Sequence, residues 1–152
     1  MSAITNPPDG FQPPVILTLG NKKGYQMKDI VSNVELVAYC GLYCGACGSY
    51  LRDRCPGCHD NKKASWCKVR ICCMEHDYSS CAECEEFANP SECKKYNNII
   101  SKIVGFVLRS DRAACVMQIK KMGIQGHADT MTRQKKQTIK KGAAQQRPPA
   151  DG

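Results

Sequence analysis

Apolar positions recur with helical spacing on both sides of a cysteine-rich block. Before the block, four apolar residues fall at i, i+3, i+4 and i+7 and predict a short helix: Met27, Ile30, Val31 and Val34. After it, seven residues form one apolar stripe: Tyr96, Ile99, Ile100, Ile103, Val104, Val107 and Leu108. Ser110 and Asp111 then indicate a stop and a new N-cap. A second helix through Cys115 is expected to end near Gly123 or Gly126, which completes a helical hairpin.

Between Cys40 and Cys93 the chain has no long periodic apolar segment. Only a short helix from about Cys44 through residues 45–54 is expected there. The run Val15–Leu19, near the amino terminus, is a candidate short strand. An irregular block of about 54 residues buries too little apolar surface to fold by itself. It therefore needs another source of stability.

The cysteine content indicates how this block is stabilised, because 12 of the 152 residues are cysteine. In a short secreted chain this level is typical of a disulfide scaffold. The first residues, however, lack the basic and apolar regions of a signal peptide. No stretch approaches the roughly 20 apolar residues that span a bilayer. We therefore expect a cytoplasmic protein without a membrane partner, and in a reducing cytosol such cysteines more often hold metal.

Ten of the cysteines are arranged in spaced motifs that are typical of metal sites. The motif Cys55-x2-Cys58-x8-Cys67 recurs 26 residues later as Cys81-x2-Cys84-x8-Cys93. Short Cys-x2-Cys turns let two sulfurs reach one ion. The predicted metal ligands are Cys40, Cys44, Cys47, Cys55, Cys58, Cys67, Cys72, Cys81, Cys84 and Cys93. They suffice for two Zn2+ ions, each of which supplies on the order of 10–16 kcal/mol of apparent folding free energy.

Spacing leaves the assignment of ligands to each ion open. One partition gives one ion the cysteines at 55, 58, 67 and 72, and the other ion those at 44, 47, 81 and 84. Cys73 is an alternative ligand to its neighbour Cys72, whereas Cys115 in a helical stripe is expected to pack as a small apolar residue. Trp66, Tyr39 and the tyrosines at 43 and 50 are expected to cover the metal sites.

Iron–sulfur chemistry is the main alternative to zinc. Cys40-x3-Cys44-x2-Cys47 has the spacing of a three-cysteine motif that binds an iron–sulfur cluster, and several other cysteines are available as a fourth ligand. The radical-enzyme barrel that usually carries this motif does not fit in a chain of this length. An iron–sulfur redox or electron-transfer protein is therefore the alternative function. A thiol-dependent enzyme that uses a surplus cysteine is a third.

The motifs resemble a known family of unknown function. In order, "YCGLYCGAC", "CPGC", "CKVRICC" and "CAECEEF" are similar to segments of DUF3795-like proteins, which are short, cysteine-rich and prokaryotic. The similarity covers Tyr39 to Phe87. It implies a presumed zinc-binding protein without an established reaction. Family members often carry Phe-Pro-Cys directly after the last pair, whereas "EFANPSEC" delays that cysteine to Cys93 here.

Positive charge is concentrated at the carboxy terminus, where residues 109–152 hold 10 Lys and Arg against 3 Asp and Glu. The last residues contain almost no large apolar side chain and predict a basic, flexible tail that is a candidate nucleic-acid contact.

His59, His76 and His127 are expected at the surface. No phosphate-binding loop or nucleophile elbow is present. An enzyme is therefore less expected than a non-catalytic module that binds a protein partner.

These observations combine into one predicted architecture. The fold class is a small metal-stapled α/irregular domain, in which a cysteine-rich zinc-binding half packs on a helical hairpin. Residues 1–35 are expected to form a lead-in, residues 36–126 the metal-binding domain and residues 127–152 the tail.

Overall fold

The computed structural model describes residues 26–142, and its regular elements are all helical. The α-helices are α1 (Gly48–Leu51), α2 (Lys68–Glu75), α3 (Ile99–Val107) and α4 (Arg112–Gln134). Five 3-10 turns span Val34–Leu36, Cys44–Ala46, Lys62–Ala64, Cys81–Glu83 and Pro90–Glu92. Over this range, β-structure is limited to two isolated bridges. The prediction of a small, mainly helical fold is confirmed, while the predicted strand Val15–Leu19 lies outside the described residues.

Helix α4 is the central element of the core. Its residues Cys115 and Ile119 pack against one apolar cluster, whose other buried members are Leu36, Val37, Tyr43, Ala128 and Met131. Val116, on the neighbouring face, packs with Val69, Cys73 and Tyr96 in a second cluster. The predicted packing role of Cys115 is confirmed, because its side chain is fully buried. The cysteine-rich half is thus held against a single long helix.

The Cys40 turn approaches α4 so closely that only glycine fits beside it. Gly41 has a φ of +89°, and a Cβ placed there would lie 3.0 Å from both the side chain and the backbone nitrogen of Val116. Glycine adopts this conformation without steric cost. The close approach places the first cysteines directly on the surface of α4.

The helix predicted from Met27 to Val34 is wrong. Residues up to Asn33 are irregular, and only Val34–Leu36 form a 3-10 turn, in which the Asn33 side chain accepts from Glu35 N–H. Backbone groups of this segment form hydrogen bonds with distant parts of the chain instead. Lys28 N–H donates to Leu51 O at 2.9 Å, and Val31 O accepts from the Tyr43 hydroxyl. Similarly, the helix expected from Cys44 divides into a 3-10 turn and the four-residue α1.

Helix α4 extends well beyond its predicted end. Asp111 caps its amino terminus as expected, by accepting from Ala114 N–H at 2.9 Å. At Gly123 the helix kinks (φ 80°, ψ 165°), but it then resumes and reaches Gln134. After the kink, Ala128 and Met131 are buried, as is Thr138 in the following segment. Residues 127–142 therefore belong to the packed domain and do not form the start of a flexible tail; residues 143–152 lie outside the described range.

The predicted hairpin covers the cysteine-rich half with only one of its two helices. Whereas α4 packs on the 3-10 turns, the apolar stripe of α3 faces solvent, and Gly105 is its one buried residue. Periodicity identifies the apolar face of a helix but not the element that covers it. No helix among residues 26–142 is long and apolar enough to cross a membrane.

His127 was expected at the surface, and that prediction is wrong. Its ring is fully buried, with Nε2 donating to Gly41 O at 2.9 Å and Nδ1 lying 2.7 Å from Gln118 Oε1. Burial lowers the pKa of His127 below 6.5, although the hydrogen bond to Gly41 opposes the shift. The ring is therefore neutral in the folded protein near pH 7.

A lowered histidine pKa predicts loss of stability in acid. Above pH 6.5 the neutral His127 makes its full contribution to the free energy of unfolding. This contribution falls as the pH drops below 6.5, because the unfolded chain then binds the proton more readily than the folded protein does. The expected slope is at most about 1.4 kcal/mol per pH unit. Urea unfolding of the wild type and of His127→Gln between pH 7 and 5 would measure it. We expect a shallower pH dependence in His127→Gln but not in the exposed control His76→Gln; equal slopes in all three proteins would contradict the assignment.

Candidate metal centre

All ten predicted ligands are free thiols that are half-buried, whereas Cys73 and Cys115 are buried. Half of them lie in or directly beside 3-10 turns. Cys47 N–H donates to Cys44 O at 2.9 Å, and Cys84 N–H donates to Cys81 O at 3.3 Å, so these two Cys-x2-Cys segments fold alike. The third cysteine makes the same hydrogen bond in both copies of the sequence repeat. Cys67 N–H donates to Ala64 O and Cys93 N–H donates to Pro90 O, each at 3.1 Å.

Five sulfurs gather in one region, which we call the first sulfur group: Cys40, Cys44, Cys47, Cys58 and Cys67. Cys44 is close enough to Cys40, Cys47 and Cys58 for their charges to act on it. Cys58 interacts in the same way with Cys40 and Cys67. Burial raises the pKa of Cys44 to about 12 and that of Cys58 to about 11, and the neighbouring thiolates add to both shifts.

Backbone amides support three sulfurs of the first group. Leu42 N–H donates to the Cys40 sulfur, Cys58 N–H to the Cys44 sulfur, and Tyr39 N–H to the Cys58 sulfur. Each bond favours the thiolate form and partly offsets the cost of burial. Amides directed at sulfur are also the outer support that metal-bound thiolates commonly receive.

A cavity of about 350 Å³ contains a second sulfur group: Cys72, Cys73, Cys81, Cys84 and Cys93. Cys73 shares a hydrogen bond with Cys81, which raises the pKa of Cys73 and lowers that of Cys81. Burial opposes the shift at Cys81, while the positive charges of Lys120 and Arg112 favour it.

Basic side chains from distant parts of the chain surround both groups. Lys95 Nζ lies 3.5 Å from the Cys72 sulfur, and Arg112 donates to the Cys40 sulfur. Lys120 Nζ, on α4, contacts the carbonyls of residues 84, 87 and 88 at 3.0–3.4 Å. Arg70, on α2, donates to Cys58 O at 3.0 Å. Sequence reasoning missed the residues at 95, 112 and 120, because they follow the cysteine pairs and reach them only through the tertiary fold.

The sulfurs lie close together, but they are not arranged around one metal position. Across residues 26–142, no three His, Cys, Asp or Glu side chains are arranged tightly enough to hold a metal ion. The grouping also differs from the suggested partition, because Cys81 and Cys84 line the cavity with Cys72 and not with Cys44. Cys55 lies outside the lining of that cavity, with its sulfur 4.0 Å from Asn61 Nδ2.

The other candidate residues have structural partners. His59 Nε2 lies 2.8 Å from Val37 O, and its ring packs at 4.3 Å from Tyr39. His76 Nδ1 lies 2.8 Å from Cys72 O at the end of α2. Trp66, which was expected to cover a metal site, is 59% exposed.

Comparisons of the chain with protein-family models, with curated proteins and with solved structures found no match. The resemblance to DUF3795-like proteins therefore stays a prediction.

Proposed function

We propose that this chain is a zinc-binding protein that acts as a non-catalytic binding module. The observation that carries the proposal is that nine of the ten half-buried thiols, together with the buried Cys73, lie in two groups of five. Each group contains enough sulfur for one tetrahedral four-thiolate site. Two Zn2+ ions per chain follow from this count.

The chemistry of each group suits zinc. The first ion would take its ligands from Cys40, Cys44, Cys47, Cys58 and Cys67, and the second from Cys72, Cys73, Cys81, Cys84 and Cys93. Thiolates are preferred zinc ligands, and the amides and basic side chains around them favour the deprotonated form. All but Cys72 and Cys73, which lie in α2, are on turns or irregular segments. Small movements of these segments can therefore bring the sulfurs together. When bound, zinc supplies the folding free energy that this half lacks.

A structural role follows from the ligand count. A four-sulfur site is closed and leaves no open position for a substrate or a reactive water. The bound ions would then hold the surface of the module in one shape for a protein partner. The cytoplasmic location stays a prediction, as does a nucleic-acid contact through the basic residues of 127–152.

One observation favours the iron–sulfur alternative. The three cysteines of the Cys-x3-Cys-x2-Cys motif lie in the same region, together with Cys58 as a fourth sulfur. Four cysteines from one region are the usual ligands of a [4Fe–4S] cluster. An electron-transfer function would then be located in the first sulfur group.

Metal analysis and visible absorption of protein purified without oxygen would test the proposal. We expect about two zinc per chain and no colour. Cys58→Ser and Cys84→Ser should each lose about one zinc, one from each sulfur group. Cys115→Ser, a thiol of the core outside both groups, should keep both ions. Iron with sulfide and a brown colour would instead establish the alternative, and the absence of any metal would contradict both.

A further inference from the structure

Helix α3 presents an apolar ridge to solvent. Five large side chains along one side are exposed: Ile99 (76%), Ile100 (49%), Ile103 (58%), Phe106 (80%) and Val107 (72%). They fall at i, i+1, i+4, i+7 and i+8, so they form one continuous stripe. Contiguous exposed apolar surface of this kind commonly marks an interaction site.

Hydrogen bonds at both ends of α3 hold the ridge in place. At the amino end, the Asn98 side chain accepts from Ser101 N–H at 2.8 Å. At the carboxy end, Lys140 Nζ donates to Leu108 O and Lys141 N–H to Arg109 O, each at 2.9 Å. The helix is thus anchored to the segment that follows α4 while its apolar side stays outward.

The residues next to the ridge carry mainly positive charge. Between Cys93 and Ser110 the sequence holds four basic residues and no acidic one: Lys94, Lys95, Lys102 and Arg109. Lys140 and Lys141 add two further positive charges at the carboxy end. An apolar stripe with a mainly basic border is complementary to a surface that is apolar inside and negatively charged outside.

We propose that α3 docks on an anionic lipid surface, with its apolar side chains in the boundary between headgroups and acyl chains. The basic residues would lie at the level of the phosphate headgroups. A helix that lies in this plane needs no spanning length, so nine residues suffice. A second copy of the chain is a poorer occupant, because it would bring two basic borders together. This proposal goes beyond the zinc module and revises the expectation of no membrane partner.

Sedimentation of the full chain with lipid vesicles would test this proposal. We expect binding to vesicles of phosphatidylcholine with about 30% phosphatidylserine, little binding to phosphatidylcholine alone, and weaker binding at high salt. The variant Ile103→Ser/Phe106→Ser should lose about tenfold or more in partitioning. Lys102→Gln/Arg109→Gln should lose several-fold and should show a smaller salt dependence. Trp66→Ser, an equally exposed apolar residue beside other lysines, is the matched control and should bind as the wild type does.

Three outcomes would overturn the proposal. They are absence of binding to either vesicle, equal binding by the Ile103→Ser/Phe106→Ser variant, and a dimer in solution that this variant dissociates without any vesicle binding. The last would assign the ridge to a second copy of the chain. Because both substituted side chains are solvent-exposed, circular dichroism and zinc content should be unchanged, which separates this test from that of the zinc sites.

Discussion

Removal of metal by a chelator is expected to unfold the cysteine-rich half of the protein. Between Val37 and Tyr96 the only α-helices are α1 and α2, of four and eight residues. Helices this short are not stable alone, and the turns between them contribute few apolar side chains to the core. A structural zinc site supplies on the order of 10–16 kcal/mol, against a net stability of about 5–15 kcal/mol for a whole domain.

Hydrogen exchange and thermal unfolding, each with and without chelator, would measure this effect. We expect amides of residues 39–93 to lose their protection, and the unfolding transition to broaden or disappear. Cys84→Ser should reproduce much of the effect, although replacing a half-buried thiol in a metal-free site would cost only about 1 kcal/mol. Cys115→Ser removes a fully buried thiol and should lower the melting temperature by a few degrees without changing the metal content.

The contrast between these two variants separates metal binding from packing. Burial alone makes Cys115 the more sensitive position, whereas metal ligation makes Cys84 the more sensitive one. A chelated protein with an unchanged melting temperature, or a Cys84→Ser variant milder than Cys115→Ser, would show that the thiols are not structural ligands.

Local features of the fold were predictable from the sequence because local chemistry determines them. Asp111 caps α4 as expected, since an acidic side chain there satisfies a free amide. Two of the three Cys-x2-Cys segments, those that begin at Cys44 and Cys81, form tight turns, as their spacing predicts. The burial of Cys115 followed from its place in a helical stripe.

Features that depend on tertiary contacts were not predictable. Spacing cannot show that Cys81 faces Cys72 and not Cys44, because each pair is positioned by its contact with α4. His127 looks like a surface residue in its local sequence, but the kink at Gly123 redirects the helix and buries it against Gly41. The exposure of the α3 stripe was likewise not predictable, because the periodicity of its sequence would be the same if another element covered it.

Tyr43 is expected to be the most sensitive core position outside the thiols. Its side chain is fully buried, and its hydroxyl joins three segments. The oxygen accepts from Asn33 N–H at 3.2 Å and from Thr132 Oγ1 at 3.0 Å, and it donates to Val31 O. The ring packs on Gly45, where a Cβ would lie 2.7 Å from it. Tyr43 therefore fastens the segment before the cysteines to the carboxy-terminal part of α4.

Two substitutions at Tyr43 divide its contribution into ring and hydroxyl. Tyr43→Ala should cost about 3–5 kcal/mol, because it leaves a cavity in the first apolar cluster. Tyr43→Phe should cost about 1–3 kcal/mol, because the three part-buried hydrogen bonds of the hydroxyl are lost. Tyr50→Phe is the control: Tyr50 is half-buried, and the contact of Lys28 with its ring at 4.5 Å is retained by phenylalanine.

Denaturant unfolding together with zinc analysis would distinguish the role of Tyr43 from that of its neighbour Cys44. If the hydroxyl acts by joining the segments, Tyr43→Phe lowers the free energy of unfolding while the zinc content stays the same. A loss of zinc in Tyr43→Phe would mean that the hydroxyl positions the Cys44 turn for the metal. If Tyr43→Phe is as stable as Tyr50→Phe, the three hydrogen bonds add no net stability, and only the ring fastens these segments together.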